Sequence, residues 1–138
     1  ALQAGNIITA DGAADTGFVF KGNVVAHNAY GIIGSGTAVG NSTLTRFFPQ
    51  ALVRDNVIVG GNPGQYPAGN FFPRSLDAVG FADPPRGDYR LADSSPYKRA
   101  GADGKGPGVD FDTLKTALSM GRPPAHLPLS SRMPRGGA

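Results

Sequence analysis

Five asparagines recur in the first half of this chain, each placed directly after Gly or Asp. The five motifs are Gly5-Asn6-Ile7-Ile8, Gly22-Asn23-Val24-Val25, Gly40-Asn41-Ser42-Thr43, Asp55-Asn56-Val57-Ile58 and Gly69-Asn70-Phe71-Phe72. Successive asparagines lie 17, 18, 15 and 14 residues apart, which is typical of one structural unit repeated several times. A turn residue that tolerates left-handed backbone, followed by a short β-branched strand, suits the corner of a parallel solenoid. The repeat therefore predicts short strands stacked in parallel.

Glycine and proline are unusually frequent, with 21 Gly and 12 Pro among 138 residues, and this composition disfavours long helices. The apolar residues form short runs between turns, such as Val24-Val25 and Leu52-Val53. Strands this short are stable when neighbours stack on them about 4.8 Å away and bury a continuous column of side chains. We expect Val19, Val24 and Ile32 to lie in that column, in an all-β fold.

Charge and composition exclude several kinds of partner and site. Charged residues make up 17% of the chain and the net charge is +3, and no basic run resembles a nucleic-acid patch. The absence of Cys excludes a disulfide scaffold and a thiolate metal site. No apolar stretch approaches the roughly 20 residues that a membrane span requires. We therefore predict no nucleic-acid partner, no membrane span and no cofactor.

The second half carries motifs that point to a known family. They are Gly80-Phe81-Ala82-Asp83, Gly87-Asp88-Tyr89-Arg90-Leu91, Ser94-Ser95-Pro96 and Ala100-Gly101-Ala102-Asp103-Gly104. This tail resembles the C-terminal rungs and closing segment of bacterial right-handed parallel β-helix proteins, which belong by fold to the pectate-lyase-like superfamily. The resemblance covers residues 1–118. It implies a short right-handed parallel β-helix, closed by an irregular C-terminal cap and one short helix, and crossover chirality favours the same hand.

We expect three regions along the chain. Residues 1–75 are predicted to form β-helix rungs with inserted loops, residues 76–120 the closing segment with a short helix, and residues 121–138 a Pro-rich extended tail. Phe111, Leu114 and Leu118 have helical spacing, which predicts a helix over residues 110–118. The positions predicted to form structural turns and caps are Asn6, Asn23, Asn56, Asp88, Pro96 and Asp103.

No group of residues in the sequence has the spacing of a catalytic or metal site. The two histidines, His27 and His126, are far apart, and the chain contains no Glu. The carboxylates Asp11, Asp15, Asp55 and Asp77 are scattered, and we expect them to cap turns. The three carboxylates within residues 103–112 lack the alternating oxygen ligands of a calcium loop. No catalytic, cofactor-binding or metal residue is predicted.

Three functional hypotheses follow from these patterns. The leading one is a non-catalytic structural or interaction module, the C-terminal part of a secreted or cell-surface β-helix protein. A solenoid that starts in mid-stack exposes unpaired backbone and apolar core at its N-terminal edge, so another polypeptide or upstream rungs should cover it. The alternative is the end of a carbohydrate-active polysaccharide lyase or hydrolase whose catalytic rungs lie upstream. A third possibility is a carbohydrate-binding module without turnover, in which a polysaccharide is the partner and Tyr66 stacks on a sugar ring.

Overall fold

The structure is a computed structural model that describes residues 4–101, 104–108, 114 and 116–118. Residues 1–108 form one compact unit and residues 109–138 a second. Within the described residues of the first unit the elements are β1 (Ile8–Ala10), β2 (Val19–Lys21), β3 (Val24–Ala26), β4 (Ile32–Gly34), α1 (Asn41–Phe47), β5 (Leu52–Arg54), β6 (Val57–Val59), β7 (Phe81–Asp83) and β8 (Asp88–Leu91). Single 3₁₀ turns occupy Pro63–Gln65, Asp77–Val79 and Pro84–Arg86.

Parallel strand pairs arrange the first six strands in two layers. β1 pairs with β4, β2 with β5 and β3 with β6, each in register over its three residues. We call β1, β2 and β3 the first layer, and β4, β5 and β6 the second layer. Beyond the second layer, Phe71 forms one isolated parallel bridge with Val57. Parallel partners need a connection of a dozen or more residues, and the intervening chain supplies it in every pair.

The predicted right-handed parallel β-helix is wrong, and so is the family resemblance on which it partly rested. The described residues form four separate two-stranded sheets, three parallel and one antiparallel, and none of them extends into a solenoid. The partners lie 24 residues apart in the first pair and 33 in the other two, so the asparagine step is not the pairing period. One of the predicted units, at Asn41, forms a helix instead of a strand.

Side chains from the second layer, from α1 and from the segment between β6 and β7 form the core. The buried residues of one cluster are Ile32, Leu44, Val53, Ile58 and Tyr66, and those of a second are Val57, Val59 and Val79. The predicted place of Val19 in the core is wrong, because its side chain is 59% exposed. Its neighbour Phe20 packs against the first cluster instead. Successive strand residues point to opposite faces, so only one of the two can be inside.

The helix α1 fills the connection between β4 and β5. Its apolar side packs Leu44 and Phe47 into the core, together with the fully buried Thr43. The Thr43 hydroxyl donates to the Ala38 carbonyl at 2.7 Å, which ties the helix to the loop before it. Gly40, directly before the helix, has φ of 80°, and a Cβ there would overlap the Gln65 carbonyl oxygen. Glycine is therefore required at this position by both conformation and space.

An antiparallel hairpin of β7 and β8 follows the two layers. The Ser95 hydroxyl donates to the Val79 carbonyl at 2.6 Å and accepts from the Tyr97 N–H at 3.1 Å, fastening the segment after the hairpin to the second core cluster. In the second unit, residues 114 and 116–118 are helical, within the helix predicted over residues 110–118, whose other positions lie outside the described residues. Among the residues that the structure describes, no helix has the length and hydrophobicity of a membrane span.

Candidate functional site: an open strand edge

Three of the repeated asparagines meet in a ladder that crosses the layers. Asn23 donates its backbone N–H and its side-chain Nδ2–H to Oδ1 of Asn56, at 2.9 and 3.1 Å. Asn56 donates the same two groups to Oδ1 of Asn70, at 3.1 and 2.9 Å. All the bonds run in one direction, from Asn23 toward Asn70. The ladder links the first layer to the second, and the second layer to the segment beyond it.

The other Nδ2–H of each asparagine bonds to a backbone carbonyl. Asn56 donates to Phe20 O at 2.8 Å and Asn70 donates to Val53 O at 3.0 Å. In both cases the acceptor lies in the preceding layer, three residues before the asparagine of that layer. Asn23 has no preceding layer among the described residues, and its Nδ2 donates to Lys21 O at 3.2 Å. The first position of the ladder thus differs from the other two.

Other repeated asparagines lie outside the ladder. Asn6, predicted as a structural turn residue, donates from its side chain to Thr9 Oγ1 at 2.6 Å on the surface. Asn41 begins α1. Asn70, by contrast, was not among the positions predicted to form structural turns and caps, although its step of 14 residues from Asn56 placed it in the repeat. The register of β3 against β6, together with the bridge from Val57 to Phe71, brings Asn23, Asn56 and Asn70 into line.

The remaining predicted turn and cap residues lie away from the ladder. Asp88 begins β8, and the Arg90 guanidinium and backbone N–H donate to its carboxylate at distances from 2.7 to 3.2 Å. These bonds lower the pKa of Asp88 to about 2, the side-chain bond from Arg90 being the largest cause. Pro96 lies in the turn after Ser95. Asp103 is outside the described residues.

Tyr66 is buried in the segment between β6 and β7, with only 4% of its surface exposed. Its hydroxyl accepts a hydrogen bond from Ile32 N–H at 3.3 Å, and the His27 ring meets it edge to face at a centroid distance of 5.6 Å. Burial raises the pKa of Tyr66 above its ordinary value, and the bond from Ile32 acts in the opposite direction. In this position the ring has no exposed face on which a sugar could stack, and Tyr66 packs in the first core cluster.

Alternate backbone N–H and C=O groups along β2 and β3 of the first layer point away from the second layer. In β3 the bonds to β6 use Asn23 O and His27 N, so the groups of the alternate residues Val24 and Ala26 face outward. In β2 the bonds use Phe18 O and Gly22 N, which leaves the groups of Val19 and Lys21 facing outward. We call these four residues, Val19, Lys21, Val24 and Ala26, the open edge. Apart from the bond that Lys21 O accepts from Asn23, no described residue pairs with the backbone of these four residues. Between them, Gly22 O accepts a hydrogen bond from Gly108 N at 2.5 Å.

The far edge of the second layer, in contrast, is covered by the chain itself. Ile58 N donates to Phe71 O and Asp55 N donates to Gly69 O, at 2.8 and 2.7 Å. Ile32, in β4, accepts from Gly40 N at 2.8 Å in addition to its bond to the Tyr66 hydroxyl. Strand edges with unpaired groups invite pairing with other chains, and natural proteins usually cover them. Among the described residues, this molecule covers one side of its two layers and leaves the strands β2 and β3 unpaired on the other, where Gly108 contacts the corner between them at Gly22.

The apolar side chains of the first layer are also more exposed than their register partners in the second layer. Val53, Val57 and Ile58 are buried in the second layer. Their register partners in the first layer are Phe20, Val24 and Val25, and all three are only partly buried. Because register partners stack on one another, the first layer forms the end of the core that faces solvent. Apolar surface and unpaired backbone thus coincide along one edge.

The carboxylates considered in the sequence analysis remain apart. Asp55 is buried and pairs with Arg54 Nε at 3.1 Å, while Asp11 accepts a bond from the N–H of Gly12. Within the described ranges, no three His, Cys, Asp or Glu side chains come close enough to hold a metal ion. The most distinctive feature of the described surface is therefore the open edge with the ladder at its corner. Comparison with known protein families, curated proteins and solved structures finds no match for this chain.

Proposed function

We propose that this protein is a non-catalytic interaction module that binds another polypeptide along the open edge. The observation that carries the proposal is the difference between the two sides of the layers. Backbone groups on the far side are bonded to the chain's own covering segment, whereas those of Val24 and Ala26 face outward without a described partner. The proposed partner supplies the missing strand.

The chemistry of the edge favours a polypeptide over other ligands. Outward N–H and C=O groups alternate along β2 and β3, which is the pattern that an added extended strand satisfies through its own backbone. The half-buried side chains of Phe20 and Val25 next to these groups call for apolar residues in the partner. Main-chain bonds then give affinity, and alternate side chains give specificity.

The hypothesis of a polysaccharide-cleaving enzyme keeps its place as an alternative that concerns residues upstream of this chain. No observation on the described residues favours it over the interaction module. A secreted or cell-surface location likewise remains an expectation from the sequence. The proposal therefore rests on the open edge alone, and the edge offers a direct test.

The test uses a synthetic peptide with the sequence of residues 18–27, carrying a fluorophore at one end. This segment already pairs in parallel with the second layer, so a second copy of it has the chemistry of a further layer. Fluorescence anisotropy of the peptide with the full chain should show saturable binding. Ala26→Pro removes an outward N–H and places a ring on the edge, while leaving the bonds of Val25 and His27 to β6 in place.

We expect Ala26→Pro to weaken peptide binding about fivefold, since the loss of a hydrogen bond at this edge is worth about 1 kcal/mol. Ala13→Pro, in an exposed loop outside the described strands, is the matched control and should leave the affinity unchanged. Absence of saturable binding would overturn the proposal. Equal effects of the two prolines would overturn it as well.

A further inference from the structure

We propose that Asp11 and Gly12 form a site of covalent modification, at which the Gly12 backbone nitrogen closes a ring on the Asp11 side chain and converts aspartate into isoaspartate. The site lies in the segment between β1 and β2 and involves none of the residues of the open edge. The reaction requires a nitrogen held next to the carboxyl group, little crowding around that nitrogen, and access for water. Each requirement is met in this segment.

The two reacting groups are already in contact. Gly12 N lies 2.9 Å from Asp11 Oδ1, to which its N–H donates a hydrogen bond. The carboxyl carbon, Cγ, is bonded to that oxygen, so the nitrogen is held next to the atom that it attacks. A reacting atom held near its target loses less freedom on the way to the transition state.

Gly12 offers little steric hindrance to ring closure. It has φ of 83°, and a Cβ built at this position would meet no heavy atom within 4 Å other than those of its chain neighbours. Because glycine carries no Cβ, its nitrogen is open to the carboxyl carbon and its backbone adopts angles that other residues resist. A β-branched residue at the same place would crowd the nitrogen.

The segment around the site is exposed and is held at both ends. Residues 11–17 are all exposed, so water reaches the carboxyl group. Before the site, Ala10 O accepts from Ser35 N at 3.0 Å, and after it Asp15 N donates to Phe47 O at 2.8 Å. No buried side chain lies between these two anchors. A backbone longer by one carbon is therefore accommodated here without disturbing the core.

The reaction needs water alone and leaves the mass of the chain unchanged. In the first step Gly12 N bonds to Cγ of Asp11, and the hydroxyl of the protonated carboxyl leaves with the amide proton as water, which gives a succinimide. In the second step water adds to one of the two ring carbonyls, and the bond from that carbon to the nitrogen breaks. Opening at Cγ restores aspartate. Opening at the Asp11 backbone carbonyl gives isoaspartate with a free α-carboxylate.

The experiment follows the unaltered full chain during several weeks at neutral pH and body temperature. Trypsin then releases residues 1–21 as one peptide, because Lys21 is the first Lys or Arg of the chain. This peptide also contains Asp15, which is exposed but precedes the β-branched Thr16, so it is the matched control. Liquid chromatography with electron-transfer fragmentation locates isoaspartate. We expect it to form at Asp11 at least about tenfold faster than at Asp15, with a minor species lighter by one water.

Three variants assign the chemistry to these two residues. Asp11→Glu keeps the charge but would require a six-membered ring, and should abolish the signal at this position. Gly12→Val crowds the nitrogen and should slow the reaction at least about tenfold. Asp11→Asn keeps the geometry and supplies ammonia as the leaving group, so it should accelerate ring closure and is the positive control.

Equal rates at Asp11 and Asp15 in the unaltered chain would overturn the proposal. A rate at Asp11 more than about tenfold below that of the free peptide of residues 1–21 would also overturn it, since the fold would then keep the two groups apart. An undiminished rate after Gly12→Val would show that the open space at Gly12 has no part in the reaction. None of these measurements depends on the binding of a partner, so their outcome is separate from that of the proposed function.

Discussion

At the scale of single residues, Asn56 makes the fullest use of its side chain. It is completely buried, its Oδ1 accepts two bonds from Asn23, and its Nδ2 donates to Phe20 O and Asn70 Oδ1. A buried amide with four partners specifies one arrangement of the surrounding strands, because any other arrangement leaves polar groups unpaired. Asn56 therefore fixes the register of the second layer against the first.

Replacing Asn56 tests this role. Asn56→Asp keeps the acceptor oxygen but turns the Nδ2 donor into a second oxygen that faces two acceptors, so we expect a loss of about 3 kcal/mol in the free energy of unfolding. Asn62→Asp is the control, because Asn62 uses only its Oδ1, which accepts from Gly64 N. Urea unfolding of both variants measures the difference. Equal stability of the two would refute the role assigned to Asn56.

Gly31 allows the His27 ring and the Tyr66 hydroxyl to pack closely against the backbone. It has φ of 53°, and a Cβ at this position would overlap both the His27 ring nitrogen Nε2 and the Tyr66 hydroxyl. Gly31→Ala should therefore lower the free energy of unfolding by about 2–4 kcal/mol, through crowding and a left-handed backbone. Gly36→Ala isolates the backbone cost, since Gly36 has φ of 73° with open space around it. Thermal unfolding in which the two variants match would contradict the crowding.

At the scale of elements, α1 illustrates a helix held by its surroundings. Seven residues are too few for a stable isolated helix, so its stability comes from tertiary contacts. The contacts include two apolar side chains and the hydroxyl of Thr43, which meets Ala38 O and the Thr37 hydroxyl. A polar anchor of this kind fixes the helix to the preceding loop.

The anchor is testable with an isosteric pair of changes. Thr43→Val keeps the shape and removes the buried hydroxyl, so we expect a loss of about 1–2 kcal/mol in the free energy of unfolding. Thr45→Val makes the same chemical change on the exposed side of the same helix and should cost only a few tenths. Chemical denaturation of both proteins distinguishes them. A larger loss at Thr45 than at Thr43 would show that the hydroxyl of Thr43 is not an anchor.

The hairpin of β7 and β8 carries a pH-dependent contact. Arg90 lowers the pKa of Asp88 to about 2, chiefly through its side-chain hydrogen bond. Because the pKa in the folded state lies below the ordinary value of about 3.9, the contribution to stability is complete above about pH 4 and is lost as the pH falls toward 2. The carboxylate is at the surface, so the effect on stability is small and the pKa itself is the better readout.

We expect Arg90→Gln to raise the pKa of Asp88 from about 2 toward 3.9, as measured by NMR titration of the side-chain carboxyl. Arg86→Gln removes the same charge from the neighbouring turn, where Arg86 pairs with Asp83 at 3.4 Å, and should leave the pKa of Asp88 in place. An unchanged titration after Arg90→Gln would mean that other groups hold the carboxylate in its charged form.

At the scale of the whole molecule, we expect backbone amides in the second layer to be better protected against hydrogen exchange than those in the first layer. Val57 and Ile58 are fully buried, with backbone bonds to both neighbouring segments, whereas each strand of the first layer is paired on one side only within the described residues. Amide hydrogen exchange follows burial and hydrogen bonding. The two layers therefore differ in local stability although they belong to one fold.

Exchange along β3 provides an internal control for this gradient. The N–H groups of Val25 and His27 face β6, while those of Val24 and Ala26 face the open edge. We expect Val24 and Ala26 to exchange at least about tenfold faster than their neighbours in the free protein, and to slow on addition of the peptide of residues 18–27. Uniform protection along β3 would show that the edge is already covered.

The sequence predicted some of these features because they depend on local chemistry. Short apolar runs indicated the strands at Val24-Val25, Leu52-Val53 and Val57-Ile58, and each of them forms a strand. The pairing period could not be predicted, because it depends on the length of the chain between partners and not on the spacing of the asparagines. The α1 segment offered too short a pattern to reveal a helix that tertiary contacts stabilise.

The candidate site was predictable only in part, for similar reasons. Asn23 and Asn56 were identified as turn residues, but the direction of their hydrogen bonds became visible only in the structure. Strand alternation decides between Val19 and Phe20 for the core, and two adjacent apolar residues give no signal as to which faces inward. Tyr66 was considered for sugar binding because aromatic type does not reveal burial.

The one-way course of the asparagine ladder has a consequence for assembly. Every bond between the asparagines runs from Asn23 toward Asn70, and both side-chain N–H groups of Asn70 are already taken by Val53 O and Pro67 O. A second copy of the chain therefore has no free asparagine donor at that end to place on Asn23 of the first. Heterologous contacts that repeat without closing produce fibres. The one-way direction of the bonds between the three asparagine side chains therefore disfavours fibres built from successive copies of this chain.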